Sequence, residues 1–236
     1  MKEDKDLIIN LILGIDSSDN RISTLQLAIK QARRLVGIAK GEYASVTKFI
    51  LRRCKPDIDA EIMVKSFLEA HTDEEMDLLT SMSLYFIVLD QLGHIFGDLR
   101  NNNSNKVKEA IEKSNIDSGL ISAEIDEIAN LRNSINHNFG LACYSPSKKN
   151  GVFKYTICFD DDGNQKPVVD AVEEWEGDWC DKSEKTSVHV YPFSLMNYVE
   201  QILNSFIEQH QKGTLKSPLC VEELKTRFTL INNNLK

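Results

Sequence analysis

An apolar segment in the middle of the chain restricts the fold more than any other feature. Thr72 and Glu75 form a capping-box pattern, which predicts a helix that begins there and runs to about Phe96. Apolar residues surround the axis of this helix on nearly every side: Met76, Leu79, Met82, Leu84, Phe86, Ile87, Leu89, Leu92, Ile95 and Phe96. The run Leu84–Leu89 alone also fits a buried strand, but the length of the whole segment favours a helix. Because such a helix needs neighbours on every side, the sequence predicts a helical bundle around it.

Further helices are predicted on both sides of this central segment. They are expected at Asp6–Ile15, Ser23–Lys40, Tyr43–Arg53, Ile58–Ala70, Lys106–Lys113, Pro192–Gln211 and Val221–Asn233. Pro56 separates the third of these from the fourth, because proline disfavours helix at the residue before it. The pattern is that of a mainly α protein.

A small β insertion interrupts the helical pattern. Val152–Phe159 alternates between apolar and polar residues, which is typical of a strand. A turn at Asp161–Asn164 predicts that Val168–Val172 pairs back as a hairpin, and Thr186–Tyr191 is a third strand candidate. The predicted fold is therefore a helical bundle with a small inserted β-hairpin or sheet before the C-terminal helices. We expect one domain over residues 1–236, with an N-terminal helical part (1–70), core helices (71–143), the β insertion (144–192) and C-terminal helices (193–236).

The charge distribution narrows the range of partners. The net charge of −8 argues against a surface coated for nucleic acid. One segment differs, because Arg21–Lys55 contains nine basic residues and one acid, so it carries +8 and the remainder −16. We expect this segment to hold an RNA backbone through Arg33, Arg34, Arg52 and Arg53, with a solvated helix face as the alternative.

Cofactors, metals and membranes are not indicated. The longest apolar run falls far below the roughly 20 residues that a membrane span needs, and the acidic start MKEDKDLIIN lacks a secretory-signal pattern. The five cysteines are scattered, odd in number and never spaced C-x-x-C, which favours a reduced, cytoplasmic location and argues against zinc. We therefore predict no cofactor, no metal site and no membrane partner.

A second helix, predicted over Asp117–Gly140, carries the strongest chemical signal. Asp117 or Ser118 can cap its start, and Asn138 and Gly140 supply its stop. Its apolar stripe consists of Ile121, Ile125, Ile128, Leu131, Ile135 and Phe139. Arg132 falls inside this stripe, where a guanidinium is costly unless another group pairs with it.

Arg132 also begins a short polar motif. Four residues, Asn133 to Asn136, separate it from His137. The spacing resembles the R-x(4–6)-H motif of the HEPN superfamily (higher eukaryotes and prokaryotes nucleotide-binding), in which a polar residue such as Asn133 commonly follows the arginine. The resemblance covers roughly Asp73–Gly140, with the C-terminal helix as a weaker extension. It implies a HEPN-like bundle with metal-independent ribonuclease activity, and such proteins commonly act as toxins or in defence against phage.

The residue types suit that chemistry. Histidine, with a reference pKa near 6.5, can accept or donate a proton at neutral pH. Arginine stays protonated and grips phosphate oxygens, and Asn133 can orient either group. In the family branch that is paired with nucleotidyltransferase antitoxins, a modified tyrosine stands two residues after the histidine. Phe139 occupies that position here, so the resemblance does not carry control by that modification.

Three further features are candidates for function. Asp90 and His94, four apart on the central helix, fit a satisfied core pair better than a catalytic or metal pair, and in a HEPN fold they could support the site. His189 lies between two valines in a strand and is expected to face solvent. Trp175 and Trp179 could stack on bases, but the acids around them repel phosphate, which favours a protein-binding loop or a packing anchor.

These observations predict a metal-independent endoribonuclease in which Arg132, Asn133 and His137 act on RNA. A two-fold homodimer is expected, because each chain offers one motif histidine while the reaction uses both an acid and a base. An antitoxin or regulatory protein is a further expected partner. The alternatives are a non-catalytic HEPN-like module that binds nucleic acid or protein, and a helical structural or regulatory protein. The ribonuclease and the module place Arg132 in a groove or an interface, whereas the structural protein buries it against a carboxylate.

Overall fold

The computed structural model describes residues 8–10, 12, 21–37, 60–98, 105–117, 119–135, 141–144 and 152–231. Within them lie helices α1 (24–37), α2 (Ala60–Phe96), α3 (Lys106–Ser114), α4 (Ser122–Asn133), α5 (Pro192–Lys212) and α6 (Val221–Phe228). The strands are β1 (Arg21–Ser23), β2 (Ala142–Tyr144), β3 (Val152–Ile157), β4 (Val168–Val169), β5 (Val188–Val190) and β6 (Thr229–Ile231). The mainly α prediction is confirmed, whereas the predicted helix Tyr43–Arg53 lies outside the described residues.

The central position of α2 is confirmed, but its predicted start is wrong. The helix runs unbroken through Thr72 and Glu75, so the capping box does not begin it, and the separate helix Ile58–Ala70 does not exist. No glycine or proline stands between Ala60 and Leu92, so nothing in this stretch favours a break. The C-terminal half of α2 buries most of its large side chains in the core, where the ring centroids of Phe96 and Phe206 lie 4.9 Å apart. The predicted need for neighbours on every side is not met at Met76 and Ile87, which are 57% and 39% exposed.

The segment Met76–Phe96 of α2 is long and apolar enough to cross a membrane by length and composition alone. Core helices of other proteins can be equally long and apolar, and 56% of the most apolar part of this segment is buried inside the fold. Burial by α3 and α5 accounts for the apolar character of this segment.

Helix α3 packs closely against the end of α2. Asn105 caps its start, since the Asn105 side-chain oxygen accepts hydrogen bonds from the amides of Val107 (3.1 Å) and Lys108 (3.3 Å). A Cβ atom at Gly93 of α2 would lie 2.0 Å from the Lys106 carbonyl oxygen, so only glycine permits this approach.

The predicted start of the motif helix is also wrong. Helix α4 begins at Ser122 rather than near Asp117, and the Ile121 amide donates to Glu124 (2.9 Å) as the first turn opens. Ile121, predicted to lie on the buried stripe, is 59% exposed because it precedes the helix. The rest of the stripe is confirmed where it is described: Ile128, Leu131 and Ile135 are buried and Ile125 packs against the core.

A four-stranded sheet forms in the order β2-β3-β5-β4. The predicted hairpin is wrong, because β5 lies between β3 and β4, parallel to the first and antiparallel to the second. Asp161 explains the difference. Its carboxylate accepts hydrogen bonds from the Gly163 amide and from the amide and hydroxyl of Ser194, each 2.7 Å long. The expected hairpin turn therefore anchors the start of α5 instead.

A two-stranded sheet joins the N-terminal and C-terminal parts of the described chain. Strand β1 pairs antiparallel with β6, with Ile22 opposite Leu230. The last helix was predicted to reach Asn233 but ends at Phe228, where β-branched Thr229 and Ile231 enter the strand.

Candidate functional site around Arg132 and Asp90

Arg132 lies near the end of α4 and reaches across to α2. Its Nη2 donates to Asp90 Oδ1 at 3.1 Å, and its Nη1 donates to Asn133 Oδ1 at 2.9 Å. The side chain is 21% exposed, so the guanidinium is neither fully buried nor free in solvent. The predicted need for a pairing group is met by Asp90.

Asp90 connects Arg132 to His94. The second oxygen of Asp90, Oδ2, lies 3.7 Å from His94 Nε2, which is an ion-pair distance rather than a direct hydrogen bond. The His94 side chain is 43% exposed, so the prediction of a satisfied core pair does not describe its environment. Asp90, His94, Arg132 and Asn133 therefore form one partly open group, here called the Asp90 cluster.

His137 belongs to residues 136–140, which lie outside the described part of the chain. Before them, α4 continues beyond Asn133 into a short π-helical turn at residues 134–135. Such turns change which side chains share a helix face. The described part of the motif is thus Arg132 and Asn133, which contact each other directly.

The Asp90 cluster can hold an anion and can transfer a proton. Arginine N–H groups bind phosphate oxygens, and the carboxylate of Asp90 orients the Arg132 side chain, which is 21% exposed. His94 is an additional proton-transfer group close to the same carboxylate. Among the residues that the structure describes, no three His, Cys, Asp or Glu side chains gather as metal ligands.

The basic segment contributes an ion pair between α1 and α5, in which the side chain of Arg33 is 57% exposed and that of Glu200 is 25% exposed. Arg33 binds Glu200 through Nε (2.8 Å to Oε1) and Nη2 (2.6 Å to Oε2), and the Tyr85 hydroxyl donates to the same carboxylate at 2.6 Å. The charge of Arg33 is therefore already balanced. Arg34 is exposed on α1, whereas Arg52 and Arg53 lie outside the described residues.

The Glu200 carboxylate is ionised more easily than usual. Burial opposes its ionisation, but the hydrogen bonds and charge of Arg33 and the Tyr85 hydroxyl outweigh burial, so the pKa of Glu200 is lowered. Burial and the neighbouring Glu200 raise the pKa of Tyr85. Arg33, Tyr85 and Glu200 are here called the Glu200 cluster. Within it, the Arg33 charge is balanced by the Glu200 carboxylate, and both Arg33 and Tyr85 donate hydrogen bonds to that carboxylate.

His189 is only half-buried and contacts groups that its sequence position did not reveal. Its Nε2 lies 3.1 Å from the Glu184 carbonyl, which requires Nε2–H, and its Nδ1 then faces the Cys158 sulfur at 3.6 Å. Burial and nearby Asp160 raise the pKa of the Cys158 thiol, which favours its neutral form.

The two tryptophans differ in environment. Trp175 is buried, and its Nε1 donates to the Asp178 carbonyl at 3.1 Å, so the packing-anchor interpretation describes it. Trp179 is 68% exposed and meets the edge of Trp175, with ring centroids 5.2 Å apart. The sequence does not predict this difference, because the spacing of the two tryptophans does not show which of them faces inward.

Comparison with known proteins assigns no family to the chain. No family model, no curated protein and no solved structure matches it. The case for a function therefore depends on the R-x4-H motif and on the geometry of the Asp90 cluster.

Proposed function

We propose that the chain is a metal-independent endoribonuclease of HEPN type that acts on RNA through Arg132 and His137. One observation carries the proposal: Arg132, the first residue of the motif, is held across two helices by Asp90 while 21% of its side chain stays exposed. A guanidinium that is positioned and still reachable suits the binding of a phosphodiester.

Each residue has a defined role in the proposed reaction. His137 takes or gives the proton as the ribose 2′-oxygen attacks phosphorus and the 5′-oxygen leaves, which yields a 2′,3′-cyclic phosphate. Arg132 neutralises the charge that builds up on the non-bridging oxygens. Asn133 and Asp90 position Arg132, and His94 supports Asp90.

The proposal includes a two-fold homodimer in the cytoplasm, with an antitoxin or another regulatory protein as a partner. An isologous interface near the end of α4 would present two copies of the motif to one cleft. That arrangement supplies both an acid and a base from identical chains. A role as a toxin or in phage defence belongs to the same proposal and rests on the motif alone.

The same ion pair also favours a second candidate, a helical structural or regulatory protein. A structural arginine is expected to contact a carboxylate, as Arg132 contacts Asp90. A non-catalytic HEPN-like module would keep the exposed guanidinium but not the cleavage reaction. The three candidates differ in what the loss of Arg132 changes: cleavage, binding, or only stability.

Cleavage assays with variants of α4 separate these candidates. We expect RNA cleavage that persists in EDTA and falls at least about 100-fold in Arg132→Ala and in His137→Ala. Lys166→Ala is the matched control, because it breaks the ion pair of Lys166 with Glu124 at the other end of α4. Equal cleavage by all four folded proteins would overturn the proposal, and loss of stability alone in Arg132→Ala would favour the structural candidate.

A further inference from the structure

The structure contains a cleft lined by acidic residues of α4 and of the segment that follows β4. It has a volume of about 780 Å³ and lies between α4, the face of the sheet and the segment 170–176. Phe153, Val188 and Trp175 supply apolar wall area, and they come from β3, β5 and the loop before Trp179. A concave site with an aromatic wall is the usual form of a binding site.

The rim of this cleft is strongly acidic. Its lining carries five carboxylates, Glu127, Asp170, Glu173, Glu174 and Glu176, against one lysine, Lys154. Lys185, outside the lining, lies 3.5 Å from Glu173 in an ion pair whose side chains are both more than half exposed. The carboxylates still outnumber the nearby lysines, so the rim attracts cations.

The lysine of the lining does not neutralise the rim. Lys154 Nζ is bound by the carbonyls of Asp181 (2.9 Å) and Ser183 (3.0 Å), by the Thr186 hydroxyl (3.1 Å) and by the Asp181 carboxylate (3.4 Å). Its charge is therefore matched by Asp181, which lies outside the cleft lining.

One of these five carboxylates, Glu127, is half-buried and therefore poorly solvated. Burial raises the pKa of Glu127, and the hydrogen bond from the Tyr155 hydroxyl (2.8 Å) opposes this shift only in part. A cation that enters the cleft would stabilise the charged form of Glu127. The cleft is thus electrostatically complementary to a positive group.

Exposed apolar side chains flank the acidic rim. Trp179 is 68% exposed and Val172 is 81% exposed, although both are large apolar residues. The backbone at Val172 is held in place, because the amides of Val172 and Glu173 both donate to the Lys185 carbonyl, at 2.8 and 2.9 Å. The ring of Trp179 is held against Trp175, with ring centroids 5.2 Å apart. Apolar side chains held in solvent beside a charged cleft are typical of a protein interface.

We infer that this cleft binds a protein segment that carries lysine or arginine beside apolar residues. The cationic side chains enter between Glu173, Glu174 and Glu176, and an arginine or lysine can lie against an indole face. The apolar side chains of the segment cover Trp179 and Val172. RNA is excluded as the occupant because the rim repels phosphate. This binding is separate from RNA cleavage, and its test contains no RNA.

Intrinsic fluorescence provides a local measurement, since the only two tryptophans of the chain are Trp175 and Trp179. The probe is an acetylated, amidated peptide of roughly ten residues in which lysine or arginine alternates with leucine and glycine. A peptide with glutamate at every basic position is the comparison probe. We expect the basic peptide to change tryptophan emission saturably, and we expect the acidic peptide to leave it unchanged.

Two charge-matched triple variants locate the binding. Replacing Glu173, Glu174 and Glu176 with Gln should lower the affinity for the basic peptide at least about tenfold. The control replaces three exposed acids outside the cleft (Glu112→Gln, Asp117→Asn and Glu222→Gln), and it should change affinity less than about twofold. Absence of a saturable signal, equal binding of the acidic peptide, or equal weakening in both variants would each overturn the inference.

Discussion

Two arginine–carboxylate groups that contact α2 differ in how many hydrogen bonds their carboxylates accept. In the Glu200 cluster, two guanidinium nitrogens meet the two carboxylate oxygens of Glu200, and the Tyr85 hydroxyl adds a third hydrogen bond. In the Asp90 cluster, one oxygen faces Arg132 at 3.1 Å and the other faces the half-exposed His94 at 3.7 Å. The first arrangement is that of a stabilising contact, whereas the second leaves polar groups available to a ligand.

This difference gives each group a distinct expected role. Bidentate contacts with an added donor fix helices in place, and removing one partner leaves the others unsatisfied. Arg132 is less exposed than Arg33 (21% against 57%), but it makes only one hydrogen bond to its carboxylate, so its contact is expected to fix the helices less firmly. Function is therefore expected from the Asp90 cluster and stability from the Glu200 cluster.

The largest effect is expected at Asp90. Asp90→Asn removes the charge that positions Arg132 but keeps an oxygen that accepts a hydrogen bond, so we expect RNA cleavage to fall roughly 10- to 100-fold while stability changes by about 1 kcal/mol. Asp126→Asn is the control, because Asp126 on α4 forms an exposed ion pair with Lys108. Cleavage rates under single-turnover conditions and urea unfolding measure both quantities. Unchanged cleavage in Asp90→Asn would remove the distinction between the two clusters.

The opposite result is expected at Glu200. Glu200→Gln should lower the free energy of unfolding by about 1–2 kcal/mol at pH 7, because Arg33 loses its carboxylate partner. The pKa of Glu200 is lowered in the folded state, so its contribution is fully present above its unfolded pKa near 4.3. It is lost as pH falls through the folded pKa. Urea unfolding should therefore show the two proteins converging in stability below about pH 4, and a constant difference down to acid pH would contradict this sign.

The proposed homodimer leads to an effect of intermediate size. If active sites need two chains, a fourfold excess of His137→Ala chains leaves roughly one fifth of wild-type chains paired with each other. Wild-type activity should then fall about fivefold after subunit exchange. A monomer in light scattering, or no loss of activity on mixing, would contradict the two-fold site.

The smallest effect is expected from the basic segment. Replacing Arg34, Arg52 and Arg53 with Gln should weaken RNA binding and reduce the slope of log affinity against log salt by about 2, since each phosphate contact contributes about 0.7. Adding Arg33→Gln should change the slope little, because its charge is matched by Glu200. An unchanged slope in the triple variant would mean that this segment is only a solvated helix face.

The spacing of apolar residues predicted those helices and strands whose pattern lies within a single segment of the chain. The apolar segment around Phe86 and the alternation around Tyr155 correctly gave a central helix and a strand. The continuous start of α2 was missed, because a capping-box pattern does not show whether the chain enters it already helical. The β1–β6 pair was missed because its two strands are short and lie near opposite ends of the described chain.

The sequence predicted the candidate site only in part, for a similar reason. The position of Arg132 on an apolar stripe predicted that it needs a partner, and Asp90 was noted on another helix. Their contact depends on how α4 crosses α2, which the sequence pattern does not specify. The matching of Arg33 by Glu200 depends on the same kind of long-range packing, so the basic segment seemed more available to RNA than Arg33 is.

Analysis of the cleavage products tests the central claim most directly. The substrate is an RNA oligonucleotide that the wild-type chain cleaves at one position in EDTA, together with a version that carries a single 2′-deoxy nucleotide at that position. We expect a 2′,3′-cyclic phosphate end from the RNA, no cleavage at the deoxy position, and no product from His137→Ala or Arg132→Ala. Cleavage at the deoxy position, or the same cyclic end produced by both variants, would contradict an endoribonuclease that uses these two residues.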